Sequence, residues 1–139
     1  MRRLLQILVP ALLVVVPSAA LAAAGGSSQV WVTNCTHAQY KPNTVVLACA
    51  DGSTYLSRVK WSTWTGSNAT GKATENANSC DPSCVNGHFE KYAVTLKLSN
   101  PKGCHKQKHK VFNELLLTYT GKRPSQTPKT LKLTLGCPY

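Results

Sequence analysis

The stretch TVVLACADGSTYLSRVKWSTW, residues 44–64, decides the fold class. Asp51-Gly52 suits a tight type I′ turn, because both central residues must accept positive φ, and β-formers lie on either side. A two-residue turn sets Ala48 opposite Tyr55 and Val46 opposite Ser57. Tyr55, Val59 and Trp61 then share a face with Val46 and Ala48, while Val45, Leu47 and Leu56 share the other with Arg58 and Lys60. The alternation is imperfect. Either a bulge shifts the register or both faces are partly covered, as in a closed barrel or a sandwich.

Working outward, residues 29–33 (QVWVT) read as a short first strand and 35–42 as a polar connection. Downstream, Tyr92, Val94, Leu96 and Leu98 alternate with Ala93, Thr95, Lys97 and Ser99, the pattern of a half-buried strand. Asn100-Pro101-Lys102-Gly103 reads as a turn. Residues 111–120 (VFNELLLTYT) form another strand with Leu115, Leu117 and Tyr119 inward. After a basic, proline-marked turn over 121–129, Leu131, Leu133 and Leu135 define a last strand. Residues 65–87 (TGSNATGKATENANSCDPSCVNG) are almost all small and polar, so they read as one long loop. Strands throughout and no amphipathic helix predict an all-β fold: a small, disulfide-stapled antiparallel sandwich or barrel of about six strands.

The amino-terminal segment reads as a secretory signal over residues 1–24, with Arg2 and Arg3 ahead of an apolar run and small-x-small sites ending at Ala22 and Ala24. The arginine pair lacks the polar context of a twin-arginine signal. Residues 25–139 then form a single secreted β domain without a further apolar run long enough to span a bilayer. All six cysteines fall within it, an even count that predicts three disulfides made in an oxidising, extracellular compartment. Local pairings fit the layout best: Cys35–Cys49 at the hairpin entry, Cys80–Cys84 as a clip on the loop, and Cys104–Cys137 across the C-terminal strands. The last closes the longest loop, for roughly 3–4 kcal/mol on the chain-entropy account. Asn34-Cys35-Thr36 and Asn68-Ala69-Thr70 match the glycosylation sequon, which carries meaning only in a eukaryotic secretory pathway.

Charge is unevenly distributed. Without Arg2 and Arg3 the chain has 14 basic and 5 acidic side chains, a net +9. Residues 25–90 carry four of each sign, so the excess lies wholly in 91–139, where ten lysines and arginines face the single acid Glu114. Lys102, His105, Lys106, Lys108, His109 and Lys110 crowd one loop, and Lys122, Arg123, Lys129 and Lys132 join them if the C-terminal strands pair. This basic face suits phosphates or acidic glycans of a cell envelope. Nucleic acid is disfavoured, because an exported chain without a reader motif has little access to it.

Catalytic patterns are missing: no GxSxG, no HExxH, no Gly-rich phosphate loop. His88 and Glu90 share one side of a strand and read as a surface pair. Glu75 and Asp81 lie in the polar stretch with nothing to raise a pKa. CHKQKH puts His105 and His109 four apart beside Cys104, but the lysines repel a cation and the cysteine is expected to be oxidised, so no metal or cofactor is assigned. Cys80-x-x-x-Cys84 lacks redox spacing and context. Trp61 and Trp64, three apart on a strand, should point to opposite faces; packing of both inside a closed β fold is favoured over one in the core and one exposed as a stacking platform.

Several spaced pieces carry a resemblance: Val46 to Gly52 (VLACADG), Trp61-Ser62-Thr63-Trp64, Cys80-Asp81-Pro82-Ser83-Cys84 with Gly87, Tyr92 to Val94, and a basic segment from Lys106 to Phe112. In these the chain resembles a family of small secreted actinobacterial proteins. The resemblance implies an exported bacterial β-domain and supplies no catalytic residues. The expectation is a non-enzymatic secreted domain that binds an anionic envelope or extracellular partner through its basic C-terminal face. The alternative is a small cationic, disulfide-rich antimicrobial or inhibitor protein.

Overall fold

The computed structural model describes residues 29–105 and 107–139. The expected signal segment and Lys106 therefore lie outside the described residues. Eight strands follow in order: β1 (Val30–Asn34), β2 (His37–Gln39), β3 (Val45–Val46), β4 (Thr54–Trp64), β5 (Ala69–Asn78), β6 (Phe89–Lys102), β7 (Lys110–Tyr119) and β8 (Thr130–Thr134). They form one sheet ordered β2-β1-β7-β6-β5-β4-β3, with β8 also paired to β7. All pairings are antiparallel except β1 with β7, which is parallel. The fold is all-β and disulfide-stapled as expected, and of the two expected architectures it takes the barrel-like one, a curled half-barrel with more strands than expected. No helix among the described residues is long and apolar enough to cross a membrane.

Two expectations fail at strand level. Residues 69–78 form β5, a ten-residue strand in the middle of the sheet rather than part of a loop. Its inward positions are Ala69, Gly71, Ala73, Glu75 and Ala77, its outward ones Thr70, Lys72 and Thr74, so the period-2 pattern is present but written in small residues. Asn100, Pro101 and Lys102 belong to β6, not to a turn. Asn100 takes φ 54° between the pairs Ser99–Glu114 and Pro101–Phe112, and the strand continues past it in the same register.

The hairpin differs too. Val46 pairs with Tyr55 and Val45 with Leu56, so the connection is longer than two residues. Its tip is closed by Gly52 N donating to Ala48 O (2.9 Å), with Gly52 at φ +67°. Of the two explanations for the mixed faces, the bulge is the one found. Arg58 takes φ 53° and the register slips between Ser57 and Lys60, which turns both Leu56 and Val59 into the core. A second slip between Trp61 and Thr63 turns Trp61 and Trp64 to the same side rather than to opposite faces, and both pack against the core, which is the favoured expectation. Their rings meet edge to face at 4.7 Å, and Trp64 packs on Phe112 at 5.5 Å. The Trp61 ring lies against Gly71, where an added Cβ would stand 2.7 Å from Lys60 O and 3.1 Å from the indole.

The core lies inside the curl, built from Val30, Val32, Leu56, Val94, Leu96, Leu98, Phe112 and the expected inward set Leu115, Leu117 and Tyr119. Side chains close the seam between the sheet's two ends. Trp64 Nε1 donates to Val30 O (2.9 Å), Asn34 Nδ2 to Thr44 O (3.2 Å), and Val46 N to Asn34 Oδ1 (2.9 Å). The three disulfides are the expected ones: Cys35–Cys49 beside this seam, Cys80–Cys84, and Cys104–Cys137.

Candidate functional site

The sheet separates side chains by sign. Residues directly opposite one another in an antiparallel pair point to the same side, so the ladders can be read as rows across the outer face. One row runs Lys60, Lys72, Thr95, Thr118, Thr130; the next runs Thr63, Thr70, Lys97, Leu116, Lys132. Arg58 lies just beyond, its guanidinium donating to Thr74 Oγ1 (3.1 Å). Lys91 extends the outer side of β6 towards its start. The bulge at Arg58 is what places Lys60 here, since uninterrupted alternation would have turned it inward.

Two features set the electrostatics of this face. Lys60 stands directly opposite Lys72, a like-charge pairing that costs stability in a sheet. Neither row contains a carboxylate; Glu114, in the next row between Ser99 and Thr134, pairs with Lys132 (3.1 Å) and accepts from Asn100 Nδ2 (3.2 Å). The Lys132 bond and then the Asn100 bond hold the Glu114 carboxyl below its ordinary range. Lys60, Lys72 and Lys97 are exposed.

The residues expected to form one basic patch are divided. Lys102, His105, Lys108, His109 and Lys110 gather at the start of β7, and Lys106 belongs to the same loop but lies outside the described residues. Lys122 and Arg123 sit past the other end of β7, roughly 30 Å away at about 3.3 Å per residue. Pairing of the C-terminal strands does not unite them, because β8 antiparallel to β7 carries Lys129 to that far end, where Tyr119 N donates to Lys129 O. Arg123 is engaged in its own loop, Nε donating to Thr127 O (2.8 Å). His109 stacks on Trp31 at 4.4 Å and 8° between planes, and Cys104 is bonded to Cys137, so no thiolate accompanies the two histidines.

An aromatic cleft adjoins the basic loop, formed by Trp31 and Tyr40 with Asn34, Gln39 and Asn43. The tryptophan beside a surface cleft is thus Trp31, and not Trp61 or Trp64. His88 and Glu90 form the expected surface pair at 3.5 Å. Glu90 also accepts from the Tyr92 hydroxyl, which lowers the carboxyl and pushes the phenol up to about 12. Glu75 is a correction: it lies inside the sheet, and burial raises its carboxyl above the usual range. The outer-face placement of Lys60 and Lys72 escapes a reading of the sequence because they belong to the charge-neutral half of the chain. No family model matches the chain, and neither a curated protein nor a solved structure matches it.

Proposed function

We propose that this chain is an exported, non-catalytic β-domain that binds an extended anionic polymer across the outer face of β4 to β8. One observation carries the reading: the opposed Lys60–Lys72 pair, with Lys97 and Lys132 in the adjacent row and Glu114, paired with Lys132, one row beyond them. Adjacent rows on one strand are about 7 Å apart and neighbouring strands about 4.8 Å, so the ammonium groups offer several contacts to a phosphate- or carboxylate-bearing chain laid over the sheet. A polyanion relieves the Lys60–Lys72 repulsion on binding, which adds to its own attraction. Three disulfides fit a protein that works outside a reducing compartment. The reading moves the expected contact from the C-terminal loops to the sheet, with Lys132 common to both.

Salt-gradient elution from a heparin matrix tests this. The Lys60→Gln, Lys72→Gln, Lys97→Gln, Lys132→Gln variant should elute at much lower salt than the parent, because exposed charges are screened beyond about 10 Å at 0.1 M. A Lys108→Gln, Lys110→Gln, Lys122→Gln variant should elute closer to the parent. The reverse order would return the contact to the loops. Growth inhibition of bacteria by the oxidised protein, lost on reduction, would replace the binder with a cationic antimicrobial.

A further inference from the structure

The inner side of the curl is not completely filled. A cavity of about 350 Å³ opens near the end of β7, with Glu75, Ala77 and Thr54 on one wall and Tyr119, Leu131 and Leu133 on the other. The sequence of β8 explains why it persists. Leu131 and Leu133 alternate inward as a buried strand should, yet both are only half-buried, because the wall opposite is built from the short side chains of Ala48, Thr54 and Ala77.

Into this apolar space the fold sets one carboxyl. Glu75 is 4% exposed, and its Oε2 is buried with no hydrogen-bond partner. Of its neighbours, Leu56 on β4 is apolar, Tyr92 on β6 gives its hydroxyl to Glu90, and the Tyr119 hydroxyl approaches the carboxyl but leaves Oε2 without a hydrogen bond. No lysine or arginine lines the cavity. A buried carboxyl with one oxygen left unpaired costs stability, and such groups persist where something else completes them. The missing partner must be a donor, and it must fit between leucines.

We propose that the cavity binds a small organic amine with a compact apolar body, its ammonium donating to Glu75 Oε2 and its hydrocarbon resting on Leu47, Leu131 and Leu133. An ammonium supplies both the missing hydrogen bond and the opposite charge. A neutral alcohol supplies only the first, and an organic acid meets a like charge in a poorly hydrated space. The volume is within the range of small-ligand pockets. This site is independent of the polymer surface, since the four outer lysines point away from it.

Backbone amide NMR titration of the oxidised protein with n-hexylamine, n-hexanol and hexanoate decides the matter. Hexylamine should move the amides of Ala77, Leu131 and Leu133 and bind at least tenfold more tightly than hexanol, with hexanoate weakest. In Glu75→Gln, hexylamine affinity should fall at least tenfold to the level of hexanol, while hexanol is unchanged. Leu133→Trp, which fills the cavity and keeps Glu75, should abolish both. The lysine-to-glutamine variant of the outer face should bind hexylamine as the parent does. Equal affinity for amine and alcohol in the parent, unchanged hexylamine binding in Glu75→Gln, or shifts confined to other parts of the molecule would overturn the proposal.

Discussion

Strand β5 shows the molecule's two sides within ten residues. Its outward side, Thr70, Lys72 and Thr74, carries polar groups that water or a polyanion can satisfy. Its inward side, Ala69, Gly71, Ala73, Glu75 and Ala77, carries little bulk and one acid. The inward residues are small because β4 and β6 fill the space above them, Trp61 over Gly71 and Leu96 beside it. The contrast teaches that this sheet is stabilised unequally: its interior by shape, its exterior by almost nothing, since cations opposed to cations there cost energy.

Leu116 and Leu117 break the comparison most sharply, being successive residues on opposite sides. Leu117 is fully buried, so Leu117→Ala should cost about 2–5 kcal/mol in chemical denaturation, while Leu116→Ala, on an exposed side chain, should stay within about 0.5 kcal/mol. Similar losses would mean that the outer face is covered. Gly71→Ala comes next, because its Cβ would stand 2.7 Å from Lys60 O and press on Trp61. A cost of roughly 1–3 kcal/mol is expected, with a changed tryptophan fluorescence spectrum.

Glu75→Gln sharpens the interior side. The Glu75 carboxyl titrates higher in the folded state than in the unfolded one, so the folded state binds more protons across that interval, and stability falls as pH rises through it. Tyr119 and Tyr92, the titratable groups near it, are themselves pushed up and remain protonated there. Gln should therefore melt higher than the parent at pH 7 by roughly 1 kcal/mol equivalent, and the gain should vanish near pH 4. The smallest effect belongs to the exterior: Lys72→Gln should stabilise by about 0.2–1 kcal/mol at low ionic strength, and 1 M salt should erase the gain.

Much of this was legible in the chain. Alternating leucines and valines announced β6, β7 and β8, and the cysteine positions announced their partners. What escaped did so for physical reasons. β5 hid because its period is carried by alanine and glycine against threonine and lysine, which a search for large apolar residues passes over. The two slips in β4 hid because a bulge reverses inward and outward without altering composition; the imperfect alternation was its only trace, and it left Trp61 and Trp64 assigned to opposite sides. Asn100-Pro101 has turn chemistry, yet β6 absorbs the positive φ of Asn100 and keeps its register. The outer lysines could not be gathered from a charge count along the chain, since rows across a sheet join residues distant in sequence. Glu75 was unreadable for the same reason that β5 was.

The sheet closes with side chains and a disulfide, and its outermost strands on the β2-to-β3 path are three and two residues long, with five-residue β8 bearing Lys132 alongside β7. A foreign strand that approached β2 or β3 would find almost no ladder to extend. If the proposed polymer crowds molecules side by side, these short edges keep them from annealing into fibres, and each leaves as an individual.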